Sequence, residues 1–235
     1  MAIGTTLNYQ RGSTNGTTWD TGTITAPSEG DLVYIYINYN DNVSITVAID
    51  AAGSAWNTVL NEALADESAW HCLFWKVAGA SEPTSYSGTG KNVEYRVITK
   101  VTSGGGIGWL IDSPVNVVRT SGTSTSMVCE APNGETVANN SISFVTGTKD
   151  RREATPANID TADNSYIGAT GNVAHQYTVA AHRVFATGET IAFDVTCTPT
   201  GDADNTVSTH ISFIEGSGGG GFNTAWAINA NTIIG

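Results

Sequence analysis

Short runs in which apolar and polar residues alternate limit the possible folds of this chain more than any other feature. In TIAFDVTCT (190–198) every second residue from Ile191 to Cys197 is apolar, and EYRVITKV (94–101) alternates in a similar way. A period of two is typical of strands with one buried and one wet face. The run LVYIYINY (32–39) is apolar on both faces. It predicts a central strand, or one that a partner covers on its second side.

Helical periodicity is weak by comparison. The best helix candidate is NTVLNEALADESAW (57–70), which contains good helix formers but runs directly into the strand pattern at 71–77. One or two helical turns and no helix are equally compatible with it. The 26 glycines lie mostly between apolar runs, as in chains whose many strands are joined by tight turns. We therefore predict an all-β fold, a jelly-roll-like β-sandwich with two related halves and little helix.

The two halves are suggested by a weak internal repeat. Ala-Pro followed by a glycine opens each half, at 26–27 and 131–132. Three strand patterns and a glutamate then recur in the same order: LVYIYI (32–37) and SISFV (141–145), LFWKVA (73–78) and AAHRVFA (180–186), Glu82 and Glu189, RVITKV (96–101) and THISFI (209–214). Residue identity is poor, so the pattern fits either a true repeat or the ordinary strand order of β proteins.

We divide the chain into four segments. They are an N-terminal arm (1–25), a first β half (26–117), a second β half (118–215) and a Gly-rich hinge with an apolar C-terminal segment (216–235). The Gly, Ser and Thr-rich stretch 103–126 is expected to link the halves. Apolar residues near both ends need cover, so we predict contacts with neighbouring subunits. The candidate interface residues are Trp19, Phe222, Trp226, Ile228, Ile233 and Ile234.

The net charge of the chain argues against two classes of partner, nucleic acids and anionic membranes. The formal net charge is −12, and the ten basic residues are scattered, with Arg151-Arg152 the only adjacent pair. Binding to nucleic acid or to an anionic membrane needs clustered Lys and Arg, so neither partner is expected. The start MAIGTTLNYQRG lacks a basic and an apolar region, so we expect no signal peptide and folding in the cytoplasm.

Metal and cofactor chemistry is not predicted. Cys72, Cys129 and Cys197 form no CxxC pair and are expected to be buried, free thiols. The four histidines show no HxH or HExxH spacing, which favours structural roles, with His182 and His210 as possible neighbours across a sheet. The acidic turns DTADNS (160–165) and GDADNT (201–206) fit either ordinary turns or calcium ligation, and turns are favoured.

Catalytic residues are not predicted either. Lys76 and Glu82 are expected to be an exposed pair at the point where a strand runs into a turn, because Pro83 follows the glutamate. Core or interface packing of the six tryptophans is favoured over stacking on sugars. A glycosidase-type carboxylate pair is neither favoured nor excluded.

Several segments resemble proteins encoded in the structural gene clusters of tailed bacteriophages. They are Trp56 followed by LFWKVA and SEPTSY, the end of the first half at IDSPV (111–115), the start of the second at APNGETVANNSISFV (131–145), and AWAINANTIIG (225–235). The resemblance implies a jelly-roll or related sandwich protein of the virion, in the capsid or the tail. It brings no catalytic residues with it.

From these observations we expect a virion structural protein, folded in the host cytoplasm. The first hypothesis is a capsid decoration or cement protein that binds the major capsid protein, or tail proteins, and forms a homo-oligomer, with a trimer as first candidate. The second is a carbohydrate-binding adhesin or receptor-binding tail module. The third is an enzyme that acts on polysaccharide.

Overall fold

The computed structural model describes residues 3–11, 17–39, 48–49, 55–63, 70–89, 93–102, 108–112, 115–124, 127–129, 140–150, 158–159, 164–168, 176–187, 195–197 and 204–216. These ranges contain 17 strands and no helix, which confirms the predicted all-β fold. In the same ranges no helix is long and apolar enough to cross a membrane. The finer prediction of a jelly roll stays a prediction.

Eight strands of the first half form two antiparallel sheets. They are β1 (Gly4–Arg11), β2 (Thr18–Asp20), β3 (Leu32–Tyr39), β4 (Ala48–Ile49), β5 (Asn57–Ala63), β6 (Trp70–Val77), β7 (Ser87–Thr89) and β8 (Val93–Thr102). Sheet A has the order β1-β8-β3-β6-β5, and the smaller sheet B has the order β2-β7-β4. The central strand β3 is the run LVYIYINY, and it pairs along its length with both β8 and β6.

The second half is built in the same way. Its strands are β9 (Trp109–Ile111), β10 (Asn116–Ser124), β11 (Met127–Cys129), β12 (Ser141–Asp150), β13 (Asn158–Ile159), β14 (Asn164–Gly168), β15 (Gln176–Phe185), β16 (Val195–Cys197) and β17 (Asp204–Glu215). Sheet C has the order β10-β17-β12-β15-β14, with β9 paired to β17, and sheet D has the order β11-β16-β13. Apart from β9, this order repeats that of the first half strand by strand. The equivalences predicted from the sequence, β3 with β12, β6 with β15 and β8 with β17, agree with it.

Strand register shows which residues correspond between the halves. Tyr34 in β3 is paired with Trp75, and Phe144 in β12 is paired with His182. Each of these partners directly precedes the basic residue of its strand. Tyr34 and Phe144 therefore hold the same position, and their rings stack with centroids 4.2 Å apart. A contact between equivalent positions is the kind that a two-fold axis between the halves produces.

Sheets A and C pack face to face around this contact. At one side β5 approaches β10, where the Arg119 guanidinium donates to the Glu62 carboxylate. At the other side β1 approaches β15, where Thr5 and His182 are hydrogen-bonded. The edge strand β5 thus lies near the edge strand β10, and the edge strand β1 lies near β15, which is next to the edge strand β14. These contacts are compatible with a two-fold arrangement. The shared core consists of Leu32, Tyr34, Tyr36, Leu73, Val101, Trp109, Ile142, Phe144, Ala180, Ile211 and Phe213.

The second face of sheet A is buried as well, beneath sheet B. This outer core consists of Trp19, Ile24, Val33, Ile35, Ile37, Cys72, Phe74, Ala78, Tyr86 and Ile98. In sheet C the face turned away from sheet A is also buried, at Val145, Ala181 and Phe185. There β11 of sheet D contacts β12 and β17. Burial on both faces explains why β3 lacks the apolar and polar alternation of a half-exposed strand.

The helix considered for residues 57–70 is absent from the described part of that segment. Residues 57–63 form β5, which pairs with β6 from Asn57 opposite Trp75 to Ala63 opposite Trp70. Helix propensity is a weak preference, and pairing with a neighbouring strand over a buried face outweighs it.

The structure places strands in two of the segments that were predicted as an arm and a linker. The supposed arm 1–25 contains β1 and β2, which are strands of sheets A and B in the first half. The supposed linker 103–126 contains β9 and β10, and β10 begins at Asn116, before the predicted boundary at 117. Polar Thr and Asn side chains suit an edge strand, so composition alone resembled a linker. Of the segment 216–235, the structure describes Gly216.

Candidate functional site

Lys76 lies near the end of β6 in the outer core. Side chains alternate along a strand, so Lys76 shares a face with Cys72 and Phe74, and both of these belong to the core beneath sheet B. The connection that follows β6 folds back over this face. Ala78 exchanges backbone hydrogen bonds with Gly30 and Asp31, just before β3, and Ile24 N donates to Thr84 O. The exposure of Lys76 is 0%.

Glu82 is the ion-pair partner of Lys76. The distance from Lys76 Nζ to Glu82 Oε2 is 2.5 Å, and both side chains are 0% exposed. Two further donors hold the carboxylate. The backbone N–H of Gly79 donates to Oε1 at 2.8 Å, and the Tyr86 hydroxyl donates to Oε2 at 2.9 Å. The carboxylate therefore has a defined orientation, with separate donors on its two oxygens.

Two aromatic rings lie close to the ammonium group. Lys76 Nζ lies 4.6 Å from the ring centroid of Trp56 and 4.6 Å from that of Tyr86. The two rings meet edge to face, with centroids 5.2 Å apart. We call Trp56, Lys76, Glu82 and Tyr86 the lysine cluster.

Burial governs the acid–base properties of the cluster. Desolvation lowers the pKa of Lys76, while the hydrogen bond and the charge of Glu82 oppose this shift. Desolvation also raises the pKa of the Tyr86 hydroxyl, and the adjacent Glu82 raises it further. Tyr86 therefore stays a protonated donor to the carboxylate over the physiological range.

The expectation of an exposed Lys76–Glu82 pair is thus wrong. An exposed pair contributes at most about 1 kcal/mol, whereas removing one partner of a buried pair costs about 3–5 kcal/mol because the other charge is left uncompensated. The cluster fastens the connection between β6 and β7 to the outer face of sheet A. With both side chains sealed, an external substrate cannot reach the ion pair in this conformation.

A second polar cluster lies between the halves, around His71 of β6. Its Nδ1 is 3.0 Å from Thr148 Oγ1, and its Nε2 is 3.2 Å from the hydroxyls of Thr146 and Thr209. The Tyr36 hydroxyl is hydrogen-bonded to Thr148. Desolvation lowers the pKa of His71 to about 3. A neutral imidazole held by three hydroxyls of the opposite half fixes how sheets A and C are aligned.

The remaining histidines do not form a metal site in the described residues, which contain no group of three His, Cys, Asp or Glu placed to bind a metal ion. His182 and His210 were possible neighbours across a sheet, and this is wrong. They lie on β15 and β17, which flank β12, and they pair with Phe144 and Val145, whose side chains point to opposite faces. His175 lies outside the described residues.

Cys72 is a free, buried thiol, as predicted. The side chains of Cys129 and Cys197 lie outside what the structure describes. Three aspartates of the possible calcium turns, Asp160, Asp163 and Asp202, also lie outside it. Calcium binding therefore stays untested.

Among the candidate interface residues, Trp19 is placed in the core of its own chain. It is 2% exposed, and its indole N–H donates to Thr89 O; a contact between Trp19 and a partner stays a prediction. Trp19 lies on β2 of sheet B and packs with residues of sheet A in the outer core, and the short pattern around Trp19 does not reveal this packing. The other candidates, Phe222, Trp226, Ile228, Ile233 and Ile234, lie outside the described residues.

The burial of the lysine cluster had one signal in the sequence. A central strand that is apolar on both faces implies that the neighbouring strand β6 is covered on both faces too. Lys76 on such a strand needs a buried partner, and Glu82 is the nearest acidic residue that follows it. The roles of Trp56 and Tyr86 have no such signal, because their approach depends on two separate loops.

No family model, curated protein or solved structure matches the chain.

Proposed function

We propose that the chain is a virion structural protein, in the first place a decoration or cement protein that stabilises a phage head through contacts between subunits. The resemblance of its sequence to proteins of phage structural gene clusters gives the class. The doubled sandwich, with a sealed core between sheets A and C and a second core under sheet B, suits a rigid building block.

Residues 222–235 carry the proposal furthest. They contain Phe222, Trp226 and three isoleucines but no charged side chain, within a chain of net charge −12. A Gly-rich run precedes them, which suits a flexible connection. An uncharged apolar segment needs cover, and a neighbouring subunit or the shell of the particle would provide it. A specific interface of this kind buries at least about 1,000 Å².

The carbohydrate-binding alternative has less support. Trp19 and Trp109 are buried, and Trp56, Trp70 and Trp75 are half-buried. Among the described residues no tryptophan is exposed, although a sugar-stacking platform needs an open aromatic face.

Deletion of residues 217–235 tests the proposal. The full chain and the deletion variant would be compared by light scattering for their mass and by cosedimentation with purified heads of the encoding phage. We expect the full chain to assemble and to bind heads and the variant to do neither, while urea unfolding shows that its sandwich is intact. Equal binding by both proteins, or absence of the chain from purified virions in peptide mass spectrometry, would overturn the proposal.

A further inference from the structure

We propose that Lys76 and Glu82 are joined by an amide bond that the folded chain forms by itself, between Lys76 Nζ and Glu82 Cδ. The lysine cluster would then be a covalent cross-link between β6 and the connection that follows it. This inference is independent of the proposed function, because it concerns a reaction within one chain.

The two reacting groups are already in contact. Lys76 Nζ lies 2.5 Å from Glu82 Oε2, and neither side chain is exposed. When an amine and a carboxyl group are held in lasting contact, their reaction takes place within one molecule and needs no encounter in solution. The entropy lost in that encounter is a large part of the barrier to such condensations. In water the same two groups would stay as hydrated, unreactive ions.

The hydrogen bonds to the carboxylate match the needs of an acyl transfer. The Gly79 N–H points at Oε1 at 2.8 Å, where negative charge develops when the amine adds to the carbonyl carbon. The Tyr86 hydroxyl points at Oε2 at 2.9 Å, the oxygen that must leave. One oxygen thus has an electrostatic stabiliser and the other has a proton donor.

The apolar surroundings favour the neutral, reactive forms. The rings of Trp56 and Tyr86 each lie 4.6 Å from Lys76 Nζ and displace water from it. Burial lowers the pKa of Lys76, and a desolvated lysine is a better nucleophile because more of it is present as the free amine. Transfer of one proton along the Nζ–Oε2 hydrogen bond converts the ion pair into an amine and a carboxylic acid.

The reaction balances without any other reagent. The amine attacks Cδ, the Nζ–Cδ bond forms, and the electron pair of the carbonyl moves onto Oε1 beside the Gly79 N–H. The Cδ–Oε2 bond then breaks while Oε2 accepts a second proton, which passes from Nζ through the Tyr86 hydroxyl. An ammonium and a carboxylate become one amide and one water, and nothing is oxidised or reduced.

The second half provides an internal control. Arg183 occupies the position in β15 that Lys76 occupies in β6, and Glu189 follows it by six residues, the same spacing as from Lys76 to Glu82. A guanidinium keeps its charge at any physiological pH and is a poor nucleophile. Only the first half is therefore expected to cross-link.

The mass of the purified, folded protein tests the proposal. We expect an intact mass lower than that of the sequence by one water, about 18 Da. After denaturation and trypsin digestion, cleavage should be missing at Lys76, so that residues 12–91 appear as one peptide, while cleavage after Arg183 is normal. The variant K76R should have the full mass, and Tyr86→Phe should slow the loss of water in freshly refolded protein.

An intact mass equal to that of the sequence, with cleavage after Lys76, would overturn the proposal and leave the cluster as an ion pair. A loss of water that the map places elsewhere, or that K76R retains, would also overturn it. Because the decisive measurement uses the unaltered protein, its result does not depend on whether any variant folds.

Discussion

Replacement of Phe144 by alanine tests whether the two halves are held together by the core between sheets A and C. Phe144 is 2% exposed, stacks on Tyr34 at 4.2 Å and meets Phe213 edge to face at 5.9 Å. Truncating a buried phenylalanine costs about 3–5 kcal/mol, because apolar contacts are lost and a cavity remains. For a chain of this size that corresponds to a fall in Tm of about 6–20 °C.

Urea denaturation followed by tryptophan fluorescence provides the assay, since tryptophans lie in both halves. Leu110→Ala is the matched control: Leu110 is 45% exposed, and its truncation is expected to change the stability by less than about 0.5 kcal/mol. A double-mutant cycle with Tyr34→Ala should give a coupling of about 0.5–1.5 kcal/mol for the stacked pair.

Well-tolerated apolar replacements lower the free energy of unfolding by less than about 1.5 kcal/mol. A loss below this value for Phe144→Ala would contradict the packing of Phe144 between the two sheets. A coupling of zero with Tyr34→Ala would show that the two rings do not stack in solution.

Three further outcomes are expected. The pKa of His71 is lowered from 6.5 to about 3, so the unfolded chain takes up a proton on acidification that the folded chain excludes. Stability should therefore fall as the pH drops from 6.5 towards 3. His71→Gln should flatten this slope in urea titrations; parallel slopes would contradict the assignment. Burial raises the pKa of Cys72, so iodoacetamide followed by peptide mapping should leave it unmodified in native protein; rapid labelling would show that the outer core opens. The Arg119–Glu62 pair is exposed at 56% and 26%, so Arg119→Ala should cost about 0.2–1 kcal/mol in urea titrations, and less in high salt; a larger loss would mean that it fastens the halves.

The sequence predicts the all-β class and the correspondence of three strands of one half with three strands of the other. The alternation of apolar and polar residues identifies strands with one buried face. The run at β3, which is apolar on both faces, identifies a central strand because both faces of its sheet are covered. The repeat could be aligned because both halves keep a basic residue in β6 or β15, followed by a glutamate. Strand β5 could not be identified, since its pairing with β6 depends on tertiary contacts that a preference for helix does not reflect.

The candidate site was only half predictable. The sequence places Lys76 on the face of Cys72 and Phe74, but it does not show that sheet B covers that face. The sheet is made of three short strands from distant parts of the chain, and none of them has a long apolar pattern. Trp19, a residue of this sheet, is buried in the same outer core.

The stacking of Tyr34 on Phe144 also bears on how such a chain could arise. Two identical half-length polypeptides that associated through one sheet would place the same residue against its own copy at the symmetry axis. Duplication and fusion of their gene would keep that arrangement while allowing each copy to change alone. Two of the present differences, tyrosine against phenylalanine at the axis and lysine against arginine on the outer faces, are of the kind that such an ancestry would leave behind.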